Sequence, residues 1–226
     1  YIAPNIFTAL AEAAPERVQA ATGLPVAITI YGRDADARTY SDHLFMGGGQ
    51  GASHAHDGVS ALLWPTSAAG TSIELFEQRV PVLVIEKCFI PDSGGPGRHR
   101  GGLGQRVRVR KLNSDGLPTL ASVYPEGVGI EVEGLFGGRA GRSALGVVRN
   151  AAGAVLRDCG TGALVSTSSD QEIIEVCLSG GAGFGPPAER SSAAIRRDLA
   201  EGYVTSEGAA RDYGVRPERV VDSTVA

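Results

Sequence analysis

Residues 80–112 read VPVLVIEKCFIPDSGGPGRHRGGLGQRVRVRKL, two strand-like runs on either side of a stretch rich in glycine and proline. The first run, 80–90, is aliphatic and β-branched and carries a strand signal, with Cys88 inside it. The second alternates: Val107 and Val109 interleave with Arg106, Arg108 and Arg110. On a pleated strand the valines therefore face a core and the arginines share the opposite side. The arginines are expected to form a solvated face, paired across strands with Glu131 and Glu133 of GIEVEG (129–134), rather than an anion site. The stretch between the runs carries no helical period and enough turn formers to serve as a long irregular loop.

Working outward, further strand-like runs stand at VAITIYG (26–32), LLW (62–64), LGVV (145–148), AVL (154–156) and EIIEVCL (172–178). Glycine clusters separate most of them, which excludes regular βαβ alternation. The helical signals sit at the two ends. Asn5 is expected to cap a helix bearing Ile6, Phe7, Leu10 and Ala14, interrupted at Pro15 and stopped by Gly23. Ser191 or Ser192 caps a second helix carrying Ile195 and Leu199 with Gly202 as its stop, and a third runs from Ser206 to Tyr213 before Gly214. The predicted class is α+β, predominantly β, with glycine-rich loops and short N- and C-terminal helices.

The totals bound the function. The 226 residues suffice for one or two domains, and no stretch approaches the roughly 18 apolar residues of a membrane span. The formal charge is −4, so a nucleic-acid surface is not indicated. Cys88, Cys159 and Cys177 are odd in number and widely spaced, which argues against a disulfide framework or a structural zinc site and for a reducing cytoplasm. The chain opens on Tyr1 without a signal segment and reads as part of something longer. Glycine is the outlier, 32 of 226 against a usual share of about 7%. That excess implies many positions of positive φ or close backbone approach.

Within the central loop, DSGGPG (92–97) repeats part of the nucleophile motif of chymotrypsin-like proteases, with Pro91 in place of the leading glycine. A serine nucleophile needs a base within hydrogen-bond reach. All four histidines, His43, His54, His56 and His99, lie between residues 43 and 99, and no histidine motif of that family is present. Turn chemistry explains the run instead: Asp92 and Ser93 bond nearby backbone, and Gly94 and Gly95 allow tight passage. In GGGQGASHAHDG (47–58), His54 and His56 would point to one side of an extended backbone with Asp57 beside them. That set suits zinc, manganese or iron, or else a plain hydrogen-bonded pair. Gly47, Gly48, Gly49 and Gly51 form a candidate substrate loop. No G-x-x-x-x-G-K-[ST] exists for ATP, and SGGAGFG (179–185) runs into Pro186 and Pro187 rather than a helix.

Taken in order, GGGQGASHAHDG, PDSGGPGRHRGGLGQ (91–105), LFGGRAG (135–141), SGGAGFGPPAER (179–190) and EGYVTSEGAARDYGV (201–215) closely resemble the C-terminal part of the hydantoinase B/oxoprolinase family. NIFTALAEAAPERVQAATG (5–23) matches too, so the likeness spans nearly all of residues 5–215. The resemblance implies residues 1–226 as the C-terminal part of a catalytic B subunit, with the N-terminal half and its metal-binding His and Asp motifs absent. It implies an ATP-binding A-type partner, a hetero-oligomer, and a small cyclic amide as substrate, as in N-methylhydantoinases and 5-oxoprolinases. A ketone carboxylase subunit is the alternative, and a non-catalytic interface module a second. WPT (64–66) departs from the histidine-rich continuation associated with 5-oxoprolinases, which points to hydantoinase-like or carboxylase-like members.

Overall fold

The computed structural model describes residues 2–65, 68–131 and 133–215, so Thr66 of the WPT run and Val132 of GIEVEG lie outside the described residues. Two antiparallel sheets form the body. The first has the order β2 (Thr39–Met46), β1 (Val26–Arg33), β5 (Thr119–Val123), β8 (Ala163–Thr167). The second has the order β3 (Val82–Phe89), β4 (Gln105–Lys111), β9 (Glu172–Cys177), β6 (Leu145–Asn150), β7 (Val155–Asp158). Ile28, Ile30 and Leu44 of the first sheet and Val107, Val109 and Val176 of the second, all fully buried, belong to one apolar cluster. Two half-apolar sheets thus bury their inner faces against each other as a sandwich. Helix α2 (Ile73–Arg79) follows the cap Ser72, whose side chain accepts from the Leu75 N–H, and it adds Phe76 to the same core.

Val107 and Val109 point inward as the alternation requires, and the arginines share the other face. Their partners differ from expectation. The registers place Arg108 between Glu86 and Glu175. Arg108 Nε donates to Glu175 at 2.8 Å, Arg106 Nε donates to Glu86 at 2.9 Å, and Arg149 of β6 also reaches Glu175 at 3.0 Å. Glu131 and Glu133 are exposed instead, because positive φ at Gly127 and Gly129 turns the chain before GIEVEG can extend into a strand. LLW (62–64) is likewise no strand: Leu62 N–H donates to the Gly48 carbonyl and the chain then turns.

The N-terminal helix α1 (Ile2–Leu10) begins before Asn5, which is a helical residue and not the cap; Pro4 is accommodated in the first turn. The helix ends at Leu10 and a 3₁₀ turn occupies Pro15–Arg17, so Gly23 does not stop it. At the other end α3 (Ser192–Ala200) is capped by Ser191, and Gly202 follows it at φ 70°. Helix α4 (Ser206–Tyr213) is capped by Thr205 and closed by left-handed Gly214. Among the described residues no helix is long and apolar enough to cross a membrane, and the three cysteines are free.

Candidate functional site

The glycine blocks are not loops around the sandwich. They run side by side as a third body, and segment 179–185 lies at its centre. Gly49 N–H donates to the Ser179 carbonyl, Gly181 N–H to Gly102, Gly95 N–H to Gly181, Ala182 N–H to Ala21, and Gly183 N–H to Arg139. A sheet strand bonds two neighbours; this segment bonds at least five, so the hydrogen bonds run in several directions around it. Only chains without side chains approach so closely. At Gly49 a Cβ would fall inside the Gly102 carbonyl and 2.6 Å from the Gly181 nitrogen. Close approach, not positive φ, is what fixes glycine here: Gly47, Gly48, Gly49 and Gly51 are all buried in the bundle and none has φ in the left-handed region.

Ser93 is fully buried at the bundle edge. Its Oγ donates to the Ile90 carbonyl at 2.6 Å and accepts from the Gly104 N–H at 2.9 Å. Both bonding capacities serve the backbone. Ser93→Ala should leave the Gly104 N–H unsatisfied, while the Ile90 carbonyl keeps the residue 93 N–H, and lower stability by about 1–3 kcal/mol, read from urea unfolding. Asp92, at φ 59°, accepts from the N–H and hydroxyl of Thr205 and so holds the start of α4.

One edge of the bundle faces α3 across a cleft of about 710 Å³, lined by His56, Asp57, Arg98, His99, Arg190 and Arg197 among others. It gathers residues from three segments, 55–57, 98–99 and 189–197. His56 and Asp57 are brought here; His54 is not among its lining residues, and stands exposed with its ring edge-on to Phe184 at 6.1 Å. Residues 54–56 form a bend rather than an extended run. Among the described residues no three His, Cys, Asp or Glu side chains group as metal ligands. The Asp57 oxygens are instead taken by Arg190, at 2.8 Å to each, and by the Arg100 N–H at 2.7 Å.

Behind the cleft, Arg190 donates also to Asp198 at 2.6 Å, and both side chains are 1% exposed. Arg100, likewise buried, donates to the Gly101 carbonyl at 2.6 Å and lies under the Tyr203 ring. Burial pushes the Asp57 carboxyl up, but Arg190 and the Arg100 N–H outweigh it and hold it below the ordinary value. Burial drives the Tyr213 hydroxyl up to about 12, with Arg190 and Arg100 opposing.

His99 faces Asp57 with Nδ1 at 3.9 Å. Burial disfavours its imidazolium more than Asp57 favours it, so it titrates below the ordinary value and is neutral at pH 7. A neutral imidazole beside three guanidinium groups can accept a proton while a developing negative charge is held nearby. Arg98 and Arg197 are themselves only loosely engaged, with Glu189 at 3.5 Å and Asp57 at 3.5 Å.

The sign of the pH effect follows. Between its folded pKa and the unfolded value of about 6.5, His99 binds more protons in the unfolded chain, so stability rises with pH and is lost as pH falls through that window. Asp57 acts in the same direction below about 3.8. His99→Gln should flatten the urea midpoint just below about pH 6.5 and leave the lower acid limb intact. An unchanged slope in that window would place the titration elsewhere.

Sequence patterns did not single out His99, Arg98, Arg190 or Asp198. RHR (98–100) and the PPAER tail carried the signal, but it emerges only when the C-terminal helices dock on the glycine bundle. Gly47, Gly48, Gly49 and Gly51 do not line this cleft.

Residues 1–187 match the sequence profile of the Hydantoinase B/oxoprolinase family. The beta subunit of caprolactamase from Pseudomonas jessenii is 30% identical over 95% of this chain and 38% of its own length. The crystal structure of the ATP-dependent caprolactamase of that organism superposes with a TM-score of 0.77 at 25% identity, covering 97% of this chain and 38% of that one. A nucleotide-free acetone carboxylase shares the fold at TM-score 0.70 and 21% identity, over 91% of this chain and 32% of that one. The chain thus spans between about 32% and 38% of the length of these relatives. The profile over most of the chain and the likeness to the caprolactamase beta subunit agree, and the chain belongs to the hydantoinase B/oxoprolinase family.

Proposed function

We propose that this chain is the C-terminal part of a B-type subunit that hydrolyses small cyclic amides in the cytoplasm, together with the rest of that subunit and an ATP-binding A-type partner. The observation that carries the reading is the agreement with the caprolactamase beta subunit along nearly the whole chain, in sequence and in fold. ATP does not fit this chain's own residues: no lysine follows a glycine in any of its glycine runs. Phosphorylation of the amide oxygen by the partner would make the amide carbon electrophilic enough for water to add; the ring C–N bond then breaks with a proton passing to the nitrogen, and the acyl phosphate left behind releases phosphate on hydrolysis.

This chain's part is then to accept a proton and steady charge. In the cleft, neutral His99 is the proton acceptor for an attacking water, with the Asp57 carboxylate 3.9 Å from Nδ1 to steady the imidazolium that forms. Arg98 and Arg197 have weak present partners and can turn to a departing anionic oxygen. The test is turnover by the complete complex given a lactam and ATP, with release of ring-opened product and phosphate expected. Bicarbonate-dependent carboxylation of a ketone, with no lactam opening, would replace the reading by the carboxylase alternative. Within the active complex, His99→Gln should lower kcat about 100-fold at unchanged KM; equal turnover would remove His99 from the chemistry.

A further inference from the structure

A second cavity lies on another side of the glycine bundle and does not share a residue with the His99 cleft. It has a volume of about 100 Å³, or roughly three water volumes. Its walls come from the start of α1, from residues 21–24, from the turn at 127–130 and from Gly141, Arg142, Ser179 and Gly180.

Its chemistry is one-sided. Arg142 is the one charged residue lining it, and no carboxylate is among the lining residues. The Arg142 side chain makes no hydrogen bond or ion pair with any described residue, whereas its backbone is fixed: its N–H donates to Ser93 and its carbonyl accepts from Gly180. The backbone N–H groups of Thr22, Leu24, Gly141 and Ser179, all lining residues, also donate to no described acceptor. Arg142 is exposed and the other four residues are half-buried, so these donors are open to an acceptor from outside the chain. The remaining wall is apolar, from Pro4, Leu24 and Ile130.

We infer that this cavity binds a small aliphatic carboxylate, its oxygens held by the Arg142 guanidinium and the surrounding backbone N–H groups, and its carbon chain against Leu24 and Ile130. A guanidinium presents a planar fork that matches a carboxylate, and backbone donors add direction at no cost in side-chain entropy. A phosphate would fill the space with a third charged oxygen and leave the apolar wall facing it. The site stands independently of the reaction proposed for the His99 cleft.

The probe is propanoate, titrated into the full chain and followed by amide shifts in two-dimensional NMR. The expected result is saturable binding that moves the amides of Thr22, Leu24, Gly141 and Ser179, with propanamide and inorganic phosphate each binding at least roughly tenfold more weakly. Arg142→Gln should weaken propanoate by roughly tenfold or more while Arg142→Lys retains part of the affinity. The side chain has no internal partner, so both variants should keep the wild-type spectrum elsewhere. Equal binding of propanamide, shifts confined to the His99 cleft, no saturable binding of propanoate, or full affinity in Arg142→Gln would each overturn the assignment.

Discussion

Asp198→Asn is expected to lower stability by about 3 kcal/mol or more, and to release the C-terminal helices before the sandwich unfolds. The carboxylate is 1% exposed and accepts two bonds from Arg190, from Nε at 3.1 Å and Nη2 at 2.6 Å, with Arg100 Nε 3.5 Å away. Neutralising it leaves Arg190 with Asp57 as its one carboxylate and the buried Arg100 guanidinium with only the Gly101 carbonyl. The apolar contacts that could compensate are few, since α3 and α4 contribute a small cluster centred on Ile195, Val204 and Ala209. The charge network therefore decides whether this region docks. Thermal unfolding together with limited proteolysis after residue 187 reads the effect. Arg197→Ala, a change at a side chain 64% exposed, should stay within about 0.5 kcal/mol of wild type. Were both variants to behave alike, the buried pair would not be what fastens the helices.

The elements that could be read from the sequence were those whose local pattern agreed with their surroundings. RVRVRK alternates because one face is core, and Ser191, Gly202 and Gly214 mark helix ends through backbone chemistry that needs no tertiary partner. The strands at 39–46, 119–123 and 163–167 were missed for the opposite reason. In TYSDHLFM the outer half is exposed and polar, and TLASV packs small residues between two neighbours, so neither shows a contrast of period two. The arginine partners were misplaced because register is set by the whole sheet: Glu86 and Glu175 are opposite Arg108 only once β3 and β9 flank β4. Of the site, the run holding His56 and Asp57 was visible, while its arginine counterpart stands 133 positions away from Asp57 at Arg190.

The glycines bear on the largest expected effect. Gly49→Ala should cost above ~3 kcal/mol, and in practice should prevent folding of the bundle, whereas Gly70→Ala should be neutral or stabilising by up to about 1 kcal/mol. Both substitutions remove the same backbone entropy from the unfolded chain. They differ in the folded state. A Cβ at Gly70 meets nothing within 4 Å, while one at Gly49 meets the backbone of both Gly102 and Gly181. Neither neighbour can move alone, because Gly102 bonds Gln50 and Gly181 bonds Gly102. Overpacking of a side chain can be relieved by a rotamer change; overpacking of three hydrogen-bonded backbones has no such outlet. The measurement is soluble yield and urea unfolding of the two variants side by side. If Gly49→Ala folds with wild-type stability, the bundle is looser than its hydrogen bonds imply, and the density of glycine must be explained by access for a ligand rather than by packing.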